Sequence, residues 1–158
     1  MSRVLLSCKH WGHCRDSDRT LVTWLGHKQN KNQGIKVMLV KNLNECEEFI
    51  AGDGTLLREL LHPDKQPLAL GYSLAHAIVP VGKISQPHSL STSEVYYILT
   101  GTGVMHIDNE VQDVGVGDAI YIPPNAKQFI RNSGKEPLIF ICMVDPAWRK
   151  EDETIYES

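Results

Sequence analysis

The sequence lacks the long apolar runs and the dense cysteines that mark several large classes of protein. No stretch approaches the roughly 20 consecutive apolar residues that cross a bilayer, and the start shows no apolar segment followed by a small-residue cleavage site. Four cysteines in 158 residues form no dense framework, so reduced thiols are expected. These absences predict a cytoplasmic protein that has no membrane partner and folds without disulfides.

Positive charge is also scarce over most of the chain. The net charge is −3, and residues 38–158 carry nine Lys or Arg against seventeen Asp or Glu, whereas residues 1–37 carry seven against two. A nucleic-acid binder needs clustered positive charge to neutralise phosphates, so the acidic body argues against a nucleic-acid partner. The nucleophile elbow, the P-loop and the dinucleotide fingerprint are absent too, which leaves those enzyme classes without support in the sequence.

The hydrophobic pattern divides the chain into three parts. Residues 1–37 form a poorly patterned basic arm, residues 38–146 a barrel domain, and residues 147–158 a polar tail without a strand pattern. The middle part is a succession of short β-like runs separated by turn residues: VMLV, TLLRELL, LGYSLAHAIVPV, SEVYYILTG, GVMHID, DAIYIPP, KQFIRN and LIFICMV. Such spacing predicts an all-β barrel or sandwich, with one or two helical turns in LNECEEF after Asn42.

The basic arm contains one group of metal-ligating residue types, Cys8, His10, His13 and Cys14. The adjacent His13 and Cys14 make a four-ligand chelate from seven residues cramped, and structural zinc sites usually draw their ligands from two separated segments. A basic arm without a metal is therefore the favoured interpretation, with a zinc site as the alternative.

Two segments of the barrel domain carry a spaced pattern of Gly, His, Glu, Pro and Asn. The first segment begins at Gly82 and continues with five residues, His88, one residue, Leu90, three residues, Glu94, six residues and Gly101. It resembles the first motif of the cupin superfamily, which has Gly, five residues, His-x-His, three or four residues, Glu, six residues and Gly. Every spacing agrees, and Leu90 stands where the motif has its second His.

The second segment resembles the second cupin motif, which has Gly, five residues, Pro-x-Gly, two residues, His, three residues and Asn. It begins at Gly117 and continues through Pro123 to Asn132, with Asn125 in place of the Gly and Gln128 in place of the His. Asn is well tolerated in a turn that requires positive φ. The resemblance is to small single-domain proteins with a cupin-2 conserved barrel, and it implies a double-stranded β-helix, or jelly-roll, barrel.

In metal-binding cupins, the two His and the Glu of the first motif and the His of the second converge inside the barrel. The resemblance implies these roles for His88 and Glu94, but Leu90 cannot coordinate a metal. Gln128 offers only a neutral amide oxygen, a weaker ligand than imidazole. The resemblance therefore implies at most one weakly bound divalent ion, Zn, Fe, Mn or Ni, held by His88, Glu94 and Gln128.

Other side chains could complete such a site or line the same pocket. His76, in SLAHAIVP, and His106, in GVMHID, are the first candidates and His62 is a third, although each is more simply a hydrogen-bonded core or surface histidine. Strand alternation places Tyr96 on the face of the motif Glu. The predicted ligand-binding residues are therefore Tyr96, Gln128, His76 and His106.

His88 and Glu94 also support chemistry without a metal. A charge-assisted hydrogen bond between them would fix the tautomer of the imidazole, and the pair could serve as general acid and base. The first hypothesis is a pocket that binds a small polar or carbohydrate-like ligand and processes it, in an isomerase-like way, through these two catalytic residues. The alternatives are a metal-dependent oxygenase or isomerase and a non-catalytic sensor or assembly domain.

Two further expectations concern partners. Lys127 and Arg131, near the barrel mouth, could pair with an anionic substrate, although solvated surface charge is the simpler role. Small single-domain cupins commonly pair, so the resemblance implies a homodimer, with edge strands near the N-terminus supplying the contact.

Overall fold

The computed structural model describes residues 38–157, and strands dominate this part of the chain. It contains eleven strands and two short 3₁₀ turns, Leu43–Glu45 and Lys150–Asp152. The strands are β1 (Glu48–Ile50), β2 (Leu56–Leu61), β3 (Ser73–Val79), β4 (His88–Leu90), β5 (Ser93–Thr100), β6 (Thr102–Ile107), β7 (Glu110–Gly115), β8 (Ala119–Ile122), β9 (Gln128–Asn132), β10 (Leu138–Asp145) and β11 (Glu153–Ile155). The prediction of an all-β fold with short helical turns is confirmed.

The strands form two antiparallel sheets whose inner faces share one core. The first sheet has the order β1-β2-β3-β10-β5-β8 and the second has the order β11-β4-β9-β6-β7. The chain crosses between the sheets, because β8, β9 and β10 follow one another in sequence but alternate between them. Both sheets contribute to one buried apolar cluster: Ala77, Val79, Tyr96, Ile98, Met105, Val114, Ile122, Ala126, Ile130, Leu138 and Phe140.

Two turns place the motif residues at the ends of their strands. Gly101 has a φ of +82°, and a Cβ there would lie 2.8 Å from the backbone oxygen of Pro137, so a larger residue would clash as well as strain. Asn125 has a φ of 65°, and its backbone N–H donates to the Leu90 oxygen at 2.6 Å. The turn before Gln128 thus keeps the left-handed residue that the motif requires.

The N-terminal part of the described chain differs from the predicted pattern. Residues 38–40, expected in the strand VMLV, form no strand, and the side chains of Met38 and Val40 are 89% and 81% exposed. The first strand of the described chain is β1, which begins at the end of the segment LNECEEF predicted to be helical and extends one residue past it. The helical part there is the short turn Leu43–Glu45, where the Asn42 side chain accepts from the backbone N–H of Asn44 at 2.9 Å.

The C-terminal part differs as well. Residues 147–158, expected to lack a strand, include β11, which pairs antiparallel with β4. Three residues are too few for a periodic pattern, so only the pairing with a distant segment defines this strand. The polar strand β7 was not predicted either, because four of its six residues are exposed and its pattern lacks an apolar face.

Residues 1–37, with Cys8, His10, His13 and Cys14, lie outside the described residues. Within residues 38–157, no helix has the length and apolar character that a membrane-crossing helix requires. The homodimer and the cytoplasmic location stay predictions.

Candidate functional site

A cavity of about 290 Å³ is lined by residues of β1, β2, β3, β4, β5, β10 and β11 and of the loops beside them. Strand β3 contributes only small side chains to the lining, Ser73, Ala75 and Ala77, and thereby leaves room for a ligand. The titratable lining residues are Asp53, Glu59, Lys65, His88, Glu94, Tyr96, Cys142 and Glu153. The other lining side chains are mostly apolar, so a ligand would meet apolar side chains over most of the cavity, with carboxyl groups and one imidazole as its main polar contacts.

The most deeply buried carboxyl group of this site belongs to Glu94, which is 5% exposed on β5. Its Oε2 accepts a hydrogen bond from Gln128 Nε2 at 2.6 Å, and its Oε1 accepts one from the Cys142 thiol at 2.6 Å. Burial nevertheless raises the pKa of Glu94, because loss of water penalises the carboxylate more than these donors stabilise it. Burial and the nearby Glu94 also raise the pKa of Cys142 well above its usual range, so the thiol keeps the proton that it donates. We call Glu94, Gln128 and Cys142 the floor cluster.

His88 lies on β4 and is 4% exposed. Its Nδ1 is 2.9 Å from the backbone oxygen of Gln86, and since a carbonyl oxygen can only accept, Nδ1 carries a proton. Nε2 has no hydrogen-bond partner within residues 38–157 and is the ring nitrogen left free to bind a proton or a ligand hydroxyl. Asp53 Oδ2 is 4.0 Å from Nδ1, and this carboxylate is held by hydrogen bonds from the backbone N–H and the hydroxyl of Thr55 at 3.0 and 2.6 Å.

The carboxyl group of Glu153 reaches the same cavity from the C-terminal strand. The pairing of β11 with β4 sets Glu153 opposite Leu90, so both residues line the cavity beside His88. Burial raises the pKa of Glu153; His88 lowers it, and the nearby Asp53 and Glu94 raise it further. We call Asp53, His88 and Glu153 the wall cluster.

Tyr96 also lines the cavity, as strand alternation from Glu94 predicts. The Tyr96 ring packs against Phe140, with the ring centroids 4.4 Å apart. Burial raises the pKa of the Tyr96 phenol well above its usual range, and the neighbouring Glu94 raises it further. The phenol therefore stays neutral and can donate or accept a hydrogen bond at the edge of the floor cluster.

Comparisons with known proteins agree with this architecture. The family model for the cupin domain matches residues 75–144. An uncharacterized protein of Methanocaldococcus jannaschii is 44% identical over 125 residues, which make up 78% of this chain and 99% of that relative. The chain belongs to the cupin superfamily.

Solved cupin-like structures have the same fold. A Streptomyces nucleoside dehydratase is 22% identical with a TM-score of 0.63, over 77% of this chain and 92% of that one. A cupin 2 conserved barrel domain protein of Salinispora arenicola is 17% identical with a TM-score of 0.60, over 73% of this chain and 92% of that one. At these identities the likeness establishes the cupin fold and leaves the chemistry to the residues of the site.

The residues of this cupin do not fit a resident metal ion. Leu90 lines the cavity between the two surviving motif ligands and fills the place of an imidazole with an apolar side chain. Gln128 turns its amide nitrogen toward Glu94, while its oxygen is buried without a hydrogen-bond partner and the residue does not line the cavity. No group of three or more His, Cys, Asp or Glu side chains within residues 38–157 is arranged to hold a metal. The geometry thus gives no support to the predicted ion on His88, Glu94 and Gln128.

His76 and His106, predicted to bind ligand, lie away from the cavity. The small residues of β3 face the cavity, so the alternate residue His76 faces the outside of the sheet, opposite Arg58 on β2. Burial lowers the pKa of His76, and the charge of Arg58 lowers it further. His106 stacks on Phe129 with the ring centroids 4.2 Å apart and does not line the cavity. Both predictions are corrected, because strand alternation sends these side chains to the opposite face.

The other candidates have local roles. The ring of His62 is fixed by the backbone on both sides: Nε2 donates to the Trp148 oxygen at 2.8 Å, and Nδ1 accepts from the Asp64 N–H at 3.1 Å. Lys127 lies 5.0 Å from the centroid of a tyrosine ring, and Arg131 is exposed on β9. Neither cation lines the cavity, so neither meets a ligand there.

The sequence reasoning missed three groups of the site and one detail of their bonding. Cys142 lies beyond the second motif, and its thiol donates to Glu94. Asp53 and Glu153 come from segments outside both motifs, and only the folded pairing of strands places them in the cavity. The expected hydrogen bond between His88 and Glu94 is not formed within the described chain: His88 Nδ1 bonds the Gln86 oxygen, and Glu94 accepts from Gln128 and Cys142.

Proposed function

We propose that this cupin binds a small, hydroxyl-bearing ligand in the barrel cavity and processes it by metal-independent proton transfer. The observation that carries the proposal is that one cavity is lined by both a candidate base, His88, and a candidate acid, Glu94. His88 offers a ring nitrogen without a partner, and Glu94 is a carboxyl group whose environment favours the protonated form. A base and an acid whose environments differ in this way are the minimum that an isomerisation or a dehydration requires.

The cavity suits a ligand of modest size. A volume of about 290 Å³ lies near the lower end of typical ligand pockets, which favours a sugar or a nucleoside over a larger cofactor. A structure of the Streptomyces nucleoside dehydratase contains uridine. Because the likeness to that protein is one of fold, uridine serves as the first probe and not as an assigned substrate.

The chemistry can be written for the loss of water. His88 Nε2 removes a proton from a ligand carbon, and protonated Glu94 gives its proton to the departing hydroxyl, so that water leaves and a double bond forms. The resulting imidazolium and carboxylate return to their starting states by exchanging protons with solvent. An isomerisation uses the same two groups but returns the proton to a neighbouring atom of the ligand.

Gln128 supports both protonation states of Glu94. In the described chain its amide nitrogen donates to the carboxyl group, while its buried oxygen has no partner. Nitrogen and oxygen of a side-chain amide can exchange places by a flip, so the same residue can accept from protonated Glu94. An imidazole ring in this position would hold a metal, whereas the amide serves an acid that gains and loses a proton.

The test combines binding and conversion with a matched histidine control. Uridine and ribose are titrated into the protein by calorimetry, and conversion is followed by mass spectrometry as loss of water or as rearrangement. We expect His88→Asn and Glu94→Gln to lower conversion on the order of 100-fold or more. His106→Asn, which alters a histidine outside the cavity, should bind and convert like the unaltered protein.

Two results would contradict the proposal. One is the absence of binding for every hydroxyl-bearing probe. The other is the recovery of at least about half an equivalent of Zn, Fe, Mn or Ni per chain, lost in His88→Ala, because a complete metal centre would make the metal-dependent alternative the better one.

A further inference from the structure

The charges around the cavity are unevenly balanced. Of the four carboxyl groups in its lining, that of Glu59 is neutralised by Lys65, whose Nζ lies 2.9 Å away. Asp53, Glu94 and Glu153 remain, and among residues 38–157 no second Lys and no Arg lines the cavity. Even with Glu94 protonated, the carboxyl groups of Asp53 and Glu153 face a ligand, and the described part of the cavity offers one imidazole to offset them.

Glu153 is held in the cavity by specific bonds at both ends of its short strand. Before the strand, the backbone N–H and the hydroxyl of Ser91 donate to Asp152 at 2.8 and 2.7 Å. After it, the Tyr156 N–H donates to the Pro87 oxygen at 2.8 Å. These contacts make the C-terminal strand a fixed part of the site.

Gly52 gives the carboxyl group of Glu153 its space. A Cβ at position 52 would lie 3.0 Å from Glu153 Oε2, closer than ordinary packing allows without displacement. The end of the Glu153 side chain therefore packs against the backbone beside Asp53, which brings these two residues of the wall cluster together.

The wall also has unused hydrogen-bonding capacity. His88 is 4% exposed and lines the cavity. Its Nε2 has no hydrogen-bond partner within residues 38–157. The carboxyl group of Glu153 likewise accepts no hydrogen bond from the described part of the chain. A ring nitrogen and a carboxyl group of cavity-lining residues that have no partner in the described chain are suited to ligand hydroxyls, which both donate and accept.

We propose that the wall cluster selects uncharged, hydroxyl-rich ligands over their phosphorylated analogues, and that Glu153 is a specificity-determining residue. This inference rests on the proposed function and names the ligand class of the same site. A hydroxyl group donates to Asp53 or Glu153 and accepts from protonated groups nearby, whereas a phosphate brings negative charge against carboxyl groups that already repel one another. The repulsion shows in the raised pKa of Glu153, to which Asp53 and Glu94 contribute after burial.

The test uses matched pairs of probes that differ by one phosphate group: uridine with uridine 5′-monophosphate, and ribose with ribose 5-phosphate. Affinities are measured by calorimetry at about 20 mM and at about 0.5 M NaCl, because salt screens charge repulsion and leaves steric exclusion unchanged. We expect the phosphorylated member to bind at least about tenfold more weakly at low salt and the difference to shrink several-fold at high salt.

Two variants assign the effect to Glu153. Glu153→Gln keeps the size of the side chain and should reduce the low-salt discrimination about threefold or more. Glu110→Gln removes an exposed carboxyl group on β7, outside the cavity, and should leave the discrimination unchanged. Thermal denaturation of each variant verifies that it is folded.

The outcomes separate this inference from the proposed function. Binding of the phosphorylated probe as tightly as the uncharged one, or a difference that salt and Glu153→Gln leave untouched, overturns the selection by charge and leaves the proposed function standing. Failure of every probe to bind overturns the proposed function itself, and the inference with it.

Discussion

The floor cluster and the wall cluster both present buried carboxyl groups to one cavity, but they differ in how those groups are bonded. In the floor cluster, each oxygen of Glu94 receives a hydrogen bond from a neighbouring side chain. In the wall cluster, His88 Nε2 and the carboxyl group of Glu153 have no partner within residues 38–157. The comparison indicates a division of labour: neighbouring side chains set the proton affinity of Glu94, the acid of the proposed reaction, while His88 and Glu153 have spare bonding capacity that can hold the ligand.

The strongest way to break this division is to rebuild a metal site across both clusters. In the double variant Leu90→His and Gln128→His, two imidazoles join His88 and Glu94, and the donor set becomes that of a metal-binding cupin. We expect affinity for Zn²⁺ or Ni²⁺ to rise on the order of 100-fold or more, because imidazole replaces an apolar group and a neutral amide. Calorimetry and elemental analysis after desalting measure the gain.

The single variant Leu90→His, which lacks the second imidazole, serves as the control and should gain much less. Adding His88→Asn to the double variant should abolish the gain. If the unaltered protein already bound the metal as tightly as the double variant, the conclusion that its residues do not fit a metal would be wrong.

A smaller effect is expected from the thiol of the floor cluster. Cys142→Ala leaves Glu94 Oε1 without its donor, and we expect the free energy of unfolding to fall by about 1–3 kcal/mol, the cost of an unsatisfied buried acceptor. Cys142→Ser retains a donor and should lose less. Urea denaturation of both variants at neutral pH measures the difference, and equal losses would show that the thiol contributes by packing alone.

Glu94→Gln should raise the free energy of unfolding at neutral pH, whereas Cys142→Ala lowers it. Because burial raises the pKa of Glu94 in the folded protein above its unfolded value, the folded state holds this proton more tightly. The resulting stabilisation is fully present below the unfolded pKa and is lost as the pH rises through the folded pKa. The Gln side chain is uncharged at every pH, so the variant does not bury a carboxylate, and at neutral pH its free energy of unfolding should exceed that of the unaltered protein, although conversion is lost.

Urea denaturation between about pH 4 and about pH 8 follows that difference. It should be largest at the alkaline end and disappear toward the acid end. Asp53, His88, Cys142 and Gln128 face Glu94 and are present in both proteins, so the comparison isolates the one carboxyl group. A difference that does not change with pH would contradict a raised pKa.

The sequence predicted the groups that lie within one motif and failed on those that only long-range pairing brings together. The motif spacing and strand alternation placed His88, Glu94 and Tyr96 correctly in the cavity, because these positions depend on neighbouring residues of β4 and β5. Glu153 depends on the pairing of β11 with a strand more than sixty residues earlier in the chain, which no local pattern encodes.

His76 shows a second limit of the sequence. Strand β3 alternates Ser73, Ala75 and Ala77 with larger residues, and both faces are compatible with burial, so hydrophobicity does not tell which face is inside. The cavity lies on the face of the small side chains because a pocket needs unfilled space. Small residues that alternate with large ones on a strand of a ligand-binding barrel are the signal that would have placed His76 outside.

The smallest expected effect concerns the turn that leads into the floor cluster. Asn125 adopts a φ of 65°, a conformation that Gly takes without strain and Asn tolerates. Asn125→Gly relieves that strain but increases the freedom of the unfolded chain, so the two effects oppose each other and the free energy of unfolding should change by less than about 1 kcal/mol. Asn125→Ala is the matched control and should lose about 1–2 kcal/mol, because a Cβ without a compensating side-chain hydrogen bond strains the left-handed backbone. Uridine affinity should stay unchanged in the glycine variant, since residue 125 does not line the cavity. Urea denaturation tests the expected stabilities and calorimetry tests the expected affinity. A weaker affinity in Asn125→Gly would mean that the turn positions Gln128 and, through it, Glu94.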